Sequence, residues 1–191
     1  AIQALGDVYP ELADLVAEKI LPSFGPGIVP LLKSGLDLKG KKQDARRLQI
    51  LHQLDPAETL PLCKSALEDG SPDVKVAAIA CLGKHEDCLP LVLEQTKSKN
   101  KSLRAAALEA LTPHDLPAVR KLFIELVQGT NLGEAIGPLR IVQNREVFDA
   151  LLAEANKALA EALKNETEGV LRYFEILQCL ERRTDAPTEA Y

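Results

Sequence analysis

Apolar positions along the chain recur with helical rather than strand spacing. Val74, Ala77, Ala78, Cys81 and Leu82 stand at relative positions 0, 3, 4, 7 and 8, which puts all five on one face of a helix turning every ~3.6 residues. At an offset of 29 the same template reads Leu103, Ala106, Ala107, Ala110 and Leu111, and at the same offset again it reads Leu132, Ala135, Ile136, Leu139 and Arg140. Only its last member breaks the pattern. A second motif repeats ahead of each stripe. Val29-Pro30-Leu31-Leu32-Lys33-Ser34 aligns with Leu60-Pro61-Leu62-Cys63-Lys64-Ser65 at an offset of 31, then with Leu89-Pro90-Leu91-Val92 and Leu116-Pro117-Ala118-Val119 at further offsets of 29 and 27. Each period therefore holds two helices, A and B, joined by a polar turn such as Asp69-Gly70-Ser71-Pro72-Asp73.

The punctuation agrees with this division. Asp55-Pro56-Ala57-Glu58 supplies an N-cap, a proline at the first helical position and a glutamate three residues past the cap. Pro30, Pro61, Pro90 and Pro117 recur near the starts of A helices, where a missing N–H costs little. Helices are expected at 28–37, 43–54, 57–68, 73–83, 87–97, 101–111, 115–128 and 131–142, after a B-like helix near 9–21. Gly133, Gly137 and Pro138 predict a weak or kinked helix in the last of the regular units. A helix pair this short cannot bury its own apolar stripe, so neighbouring units must stack and share a core. The expected fold is all-α, a right-handed α-solenoid of stacked antiparallel helix pairs.

The chain is expected to form one such array over 1–191, regular over 9–142 and divergent over 143–185. In the divergent part Phe148, Leu151, Leu152, Ala155, Leu159 and Ala162 mark a longer A helix, and Asn165 with Glu168 caps a last helix bearing Val170, Phe174 and Leu177.

Composition sharpens the architecture. Leu and Ala fill 57 of the 191 positions, while aromatics make up 4% and both Trp and Met are absent. Small aliphatic helix formers suit thin helical layers better than a deep globular centre. A net charge of −5 weighs against general nucleic-acid affinity, and charged residues interrupt every apolar run before it could span a membrane. The missing initiator Met suggests a processed chain or a fragment. Cys63, Cys81, Cys88 and Cys179 include no C-x-x-C pair, so they are expected to be small core residues of a protein in a reducing, cytoplasmic setting. Asn165-Glu166-Thr167 fits a glycosylation sequon but reads better as a helix start.

One polar row follows the same period. Arg46, Lys75 and Arg104 succeed one another at an offset of 29, at the second position of successive B helices. Two roles are open: capping and pairing with Asp44 and Asp73 in the preceding turns, or a cationic surface, extended by Arg47, Gln49 and Gln53, for an acidic partner. Lysines also gather in the A–B turns at Lys39, Lys41 and Lys42 and at Lys97, Lys99 and Lys101, separated by the acidic Glu68-Asp69. His85 and His114 occupy equivalent B–A loops and read as exposed loop residues, and His52 stands alone on a helix. No nucleophile triad, phosphate loop or close carboxylate pair emerges.

Ser71-Pro72-Asp73-Val74-Lys75-Val76-Ala77-Ala78-Ile79-Ala80-Cys81-Leu82-Gly83 and Lys101-Ser102-Leu103-Arg104-Ala105-Ala106-Ala107-Leu108-Glu109-Ala110-Leu111 resemble HEAT repeats, in particular the short variety of phycobilin-lyase-like proteins. Asp185-Ala186-Pro187-Thr188-Glu189-Ala190 resembles the A-helix start at Asp55, and 9–21 resembles a B helix without its A partner, as though the array were cut at both sides. The resemblance implies a non-enzymatic scaffold binding a protein through the concave B-helix face, with no cofactor, no metal, no membrane and no nucleic acid. It also leaves two alternatives, a lyase-like or metal-dependent enzyme component and a structural spacer in a larger, bacterial-type repeat protein. Neither is favoured by the residues: aromatics that would cradle a tetrapyrrole are missing. The His-Glu pairs that hold iron in HEAT-like deoxyhypusine hydroxylases open B helices, whereas His85-Glu86 lies past the end of one.

Overall fold

The computed structural model describes residues 1–164 and 167–181. The expected cap at Asn165 and the resemblance at 185–190 lie outside the described residues. Every regular element among those described is helical, and the fold is an all-α assembly of solenoid type. The chain divides into two compact units, Ala1–Ala110 and Leu111–Tyr191.

The first unit opens with a 3₁₀ turn, Ile2–Gly6, and helix α1, Pro10–Leu15, which continues as a π-helical turn over Val16–Ile20. A 3₁₀ segment, Pro22–Ile28, leads into α2, Val29–Ser34. The helix expected at 28–37 is thus shorter than its apolar pattern. It starts at Val29, within a residue of expectation, just after Gly25 at φ 65° and Pro26, and stops three residues early, with Gly35 at its C-cap. Regular pairs come next: α3, Lys42–Leu54; α4, Pro56–Asp69; α5, Pro72–Leu82; then a 3₁₀ turn, Glu86–Cys88, α6, Leu89–Gln95, and α7, Lys101–Leu111, whose last residue opens the second unit. The B helices α3 and α5 pack together, and the A helix α4 lies against both.

Local chemistry sets these boundaries. Asp55 caps α4 by accepting from the Glu58 amide at 3.3 Å, and Ser71 caps α5 by accepting from Val74 at 3.3 Å. Ser71, and not Asp73, is therefore the cap of α5. The Ser71 hydroxyl also donates to the Gly40 carbonyl at 2.5 Å, and its amide donates to Leu38 at 2.8 Å. The turn before α5 is thereby fastened to the turn before α3, which fixes the stacking of these two pairs. Ala77, Ala78 and Ala107 are buried, while Ala106 and Ala110 are half-buried. The Cβ that Gly83 lacks would fall 2.7 Å from Ala110 Cβ, so small residues let α5 and α7 approach closely.

The second unit holds α8, Pro117–Gln128; α9, Leu132–Ile141; α10, Arg145–Ala162; and α11, Thr167–Leu180. The A helices α8 and α10 pack side by side, as do the B helices α9 and α11, and α10 lies against α11. That is the same two-layer order, with α10 the long helix at 18 residues, and Phe123, Leu151 and Ile176 are buried in it. Helix α9 runs through Gly133, Gly137 and Pro138 and ends three residues after the proline. Asn144 caps α10 with bonds from the Glu146 and Val147 amides, and its own amide donates to Asp115, one period earlier, at 2.6 Å.

Candidate functional site

The basic row begins on the first turns of the B helices, and the structure shows where each cation goes. Arg46 Nε donates to Asp14 Oδ1 at 2.8 Å and its Nη1 to the Leu5 carbonyl at 2.9 Å, tying α3 to the N-terminal elements. Asp44 pairs with Arg47 at 3.0 Å, not with Arg46, and accepts from the Asp37 amide. Arg47 also donates to the Gly35 carbonyl at the end of α2. Lys75 donates to the Glu68 carbonyl at 2.9 Å, in the last turn of α4. Arg104 donates to the Ser98 and Lys99 carbonyls at 2.8 and 3.2 Å. Lys75 and Arg104 thus serve the carbonyl ends of the preceding A helix or turn, where helix geometry leaves acceptors unsatisfied and the dipole favours positive charge.

Around this row the A–B turns of the first unit are unevenly charged. Residues 37–47 carry five cations against two carboxylates, 68–75 one cation against three carboxylates, and 97–104 four cations and no carboxylate. Lys41, Lys42, Lys97, Lys99 and Lys101 are exposed.

A second group forms at the other end of the same helices. His52, near the end of α3, does not stand alone. It is buried, and its Nε2 lies 3.1 Å from Nε2 of His85, the rings meeting edge-on at 77°. His85 is half-buried against it and is not simply exposed in its loop. Cys63 on α4 and Cys81 on α5 are buried beside His52, and one donor atom from each of the three lies within 4.8 Å of the others. Burial pushes the His52 imidazole below its ordinary pKa, helped by His85 and the cationic Lys84. A hydrogen bond between the two thiols lowers Cys63 and raises Cys81, and burial adds to the rise of Cys81. His52 Nδ1 and the hydroxyl of Thr59, one turn ahead of Cys63 on α4, are buried without a hydrogen-bond partner among the described residues, an unusual state for buried polar atoms.

Sequence reading left these residues apart, although the repeat held the clue. The numbers of His52 and Cys81 differ by 29, the offset of the B-helix template, so the two occupy equivalent positions on successive B helices. Stacking the repeats was enough to predict their proximity.

No single described helix is long and apolar enough to cross a membrane; Pro10–Ile20 and Pro22–Ser34 reach that length and composition only as a pair bent by 67°.

Paired helices in two layers, repeated at a near-constant period, define a helical-repeat protein. Residues 59–135, from α4 into α9, match the family described as HEAT repeats, and that stretch is a HEAT-repeat array. HEAT repeats commonly serve as protein-interaction scaffolds and are generally non-enzymatic. No curated protein and no solved structure matches the chain.

Proposed function

We propose that the protein is a non-enzymatic scaffold that holds a protein partner against the concave B-helix face of its first unit, along the edge formed by the A–B turns. One observation carries this reading. On a chain of net charge −5, Arg46, Arg47, Lys75 and Arg104 recur on stacked B helices beside exposed lysine clusters, so positive charge is gathered on one edge. The partner is an acidic segment of another protein, steered to the edge by charge. Within that edge the arginines are oriented by the carbonyls they brace, and Lys97, Lys99 and Lys101 are exposed. The burial of all four cysteines, none in a disulfide, supports a cytoplasmic setting.

The test compares proteins captured from the source cell by wild type and by the Lys97→Glu, Lys99→Glu, Lys101→Glu variant, quantified by mass spectrometry. Proteins with acidic segments retained by wild type and lost from a variant of unchanged Tm support the reading. Identical capture profiles sink it.

A further inference from the structure

We propose that His52, Cys63 and Cys81 form a binding site for a thiolate- and imidazole-seeking divalent cation, zinc as the first case, that clamps α3, α4 and α5 together. Three elements contribute one donor each, and all three side chains are buried. Tetrahedral zinc with Zn–S of ~2.3 Å and Zn–N of ~2.0 Å needs these donors roughly 3.5 to 3.8 Å apart. The observed window of 4.8 Å leaves a closure of about an ångström, within reach of ordinary rotamer adjustment. Carboxylates are missing from this donor group, which argues against the hard cations calcium and magnesium.

The repeat gives independent support. At an offset of 29, Cys63 becomes Val92 and Cys81 becomes Ala110, and Cys63 set back by 31 becomes Leu32. Aliphatic side chains suffice at this level elsewhere in the array. Imidazole and thiols replace them only where α3, α4 and α5 converge, and core packing alone gives no reason for that choice.

The orphaned Nδ1 of His52 is the nitrogen left for the metal, because Nε2 already faces His85. With the ion on Nδ1, Nε2–H donates to His85, which fixes ring orientation and tautomer as second partners of metal-bound histidines do. His85 belongs to the half-exposed loop after α5 and so marks the side from which an ion enters. Three protein donors leave a fourth position for water or a small ligand.

The experiment titrates the reduced, chelator-treated full chain with zinc by calorimetry, and with cobalt as a spectroscopic probe. Expected are one ion per chain, a thiolate-to-cobalt charge-transfer band, and a raised Tm with zinc. Cys63→Ala and Cys81→Ala should each weaken zinc binding and diminish the band, His85→Ala should weaken binding about 10- to 100-fold, and the double variant Cys88→Ala, Cys179→Ala should bind as wild type. Should either cysteine variant fail to fold, the cobalt spectrum of the Cys88→Ala, Cys179→Ala protein decides, since only Cys63 and Cys81 then remain to give a thiolate band. No saturable binding at micromolar zinc overturns the proposal. So does a cobalt complex without thiolate character, or undiminished affinity in folded Cys63→Ala or Cys81→Ala protein.

Discussion

Arg46 is firmly held in the basic row, since its guanidinium meets both a carboxylate and a backbone carbonyl while its side chain is only 12% exposed. Truncation takes this donor from the part-buried Leu5 carbonyl and removes the packed stem, so Arg46→Ala should cost about 1–3 kcal/mol in urea denaturation. Lys75 meets one carbonyl at an exposed site, and Lys75→Ala should cost under about 1 kcal/mol. Equal losses at both positions would show that the contacts do not set the energetics.

His52 yields a prediction of a different kind. Its folded pKa is lowered by burial, then by His85 and Lys84, while Cys63 from α4 and Cys81 from α5 complete its surroundings. An unfolded imidazole gains its proton near pH 6.5, so below that the unfolded state binds more protons than the folded state. Metal-free protein should therefore hold full stability above about pH 6.5 and lose it as the pH falls toward the depressed folded value. Urea midpoints across that range should slope for wild type, and His52→Ala should flatten the slope. The position of His52 in the repeat was legible in the sequence; its burial was not, because it depends on how the end of α3 meets the loop that carries His85.

At the scale of elements, a near-constant period made the helices legible. Residues 42–54, 56–69 and 72–82 emerge within a residue of the expected bounds, since stripe, cap and proline all mark the same positions. The pattern failed at the end of α2, where apolar spacing continued past a helix that stops at Ser34 with Gly35 as its C-cap. The caps were only partly readable: the turn 69–73 offers several capping side chains, and Ser71 wins because its hydroxyl also binds Gly40 in the previous turn. Packing between elements can be tested at Gly83, where an added Cβ would lie 2.7 Å from Ala110 Cβ and 3.3 Å from its carbonyl oxygen. Backbone and a methyl have no rotamer with which to yield, so Gly83→Ala should destabilise by about 1–3 kcal/mol. Gly27→Ala, with nothing within 4 Å, should stay within about 0.5 kcal/mol of wild type. Thermal unfolding of the two variants side by side separates close approach from the general preference of helices for alanine.

For the molecule as a whole, the proposed association with an acidic segment depends on the balance between total and local charge. The net charge of −5 repels an acidic partner at long range, whereas the turns 37–47 and 97–104 attract it at short range. Salt shortens the reach of both fields, with a Debye length of about 10 Å at 0.1 M and 3 Å at 1 M, so moderate salt should first relieve the long-range repulsion and then weaken the local attraction. Binding of the acidic segment is thus expected to fall by about tenfold between roughly 0.1 M and 0.5 M salt, mainly through a slower association rate. Neutralising the cluster as Lys97→Gln, Lys99→Gln, Lys101→Gln should remove most of that salt dependence, because the exposed cluster supplies the steering charge while the arginines stay tied to carbonyls. Stopped-flow association of the captured partner at several ionic strengths measures this directly. A salt-independent rate for wild type would mean that the face recognises its partner through apolar contact, and the charge row would then be a device of the repeat itself, holding one A–B turn to the next.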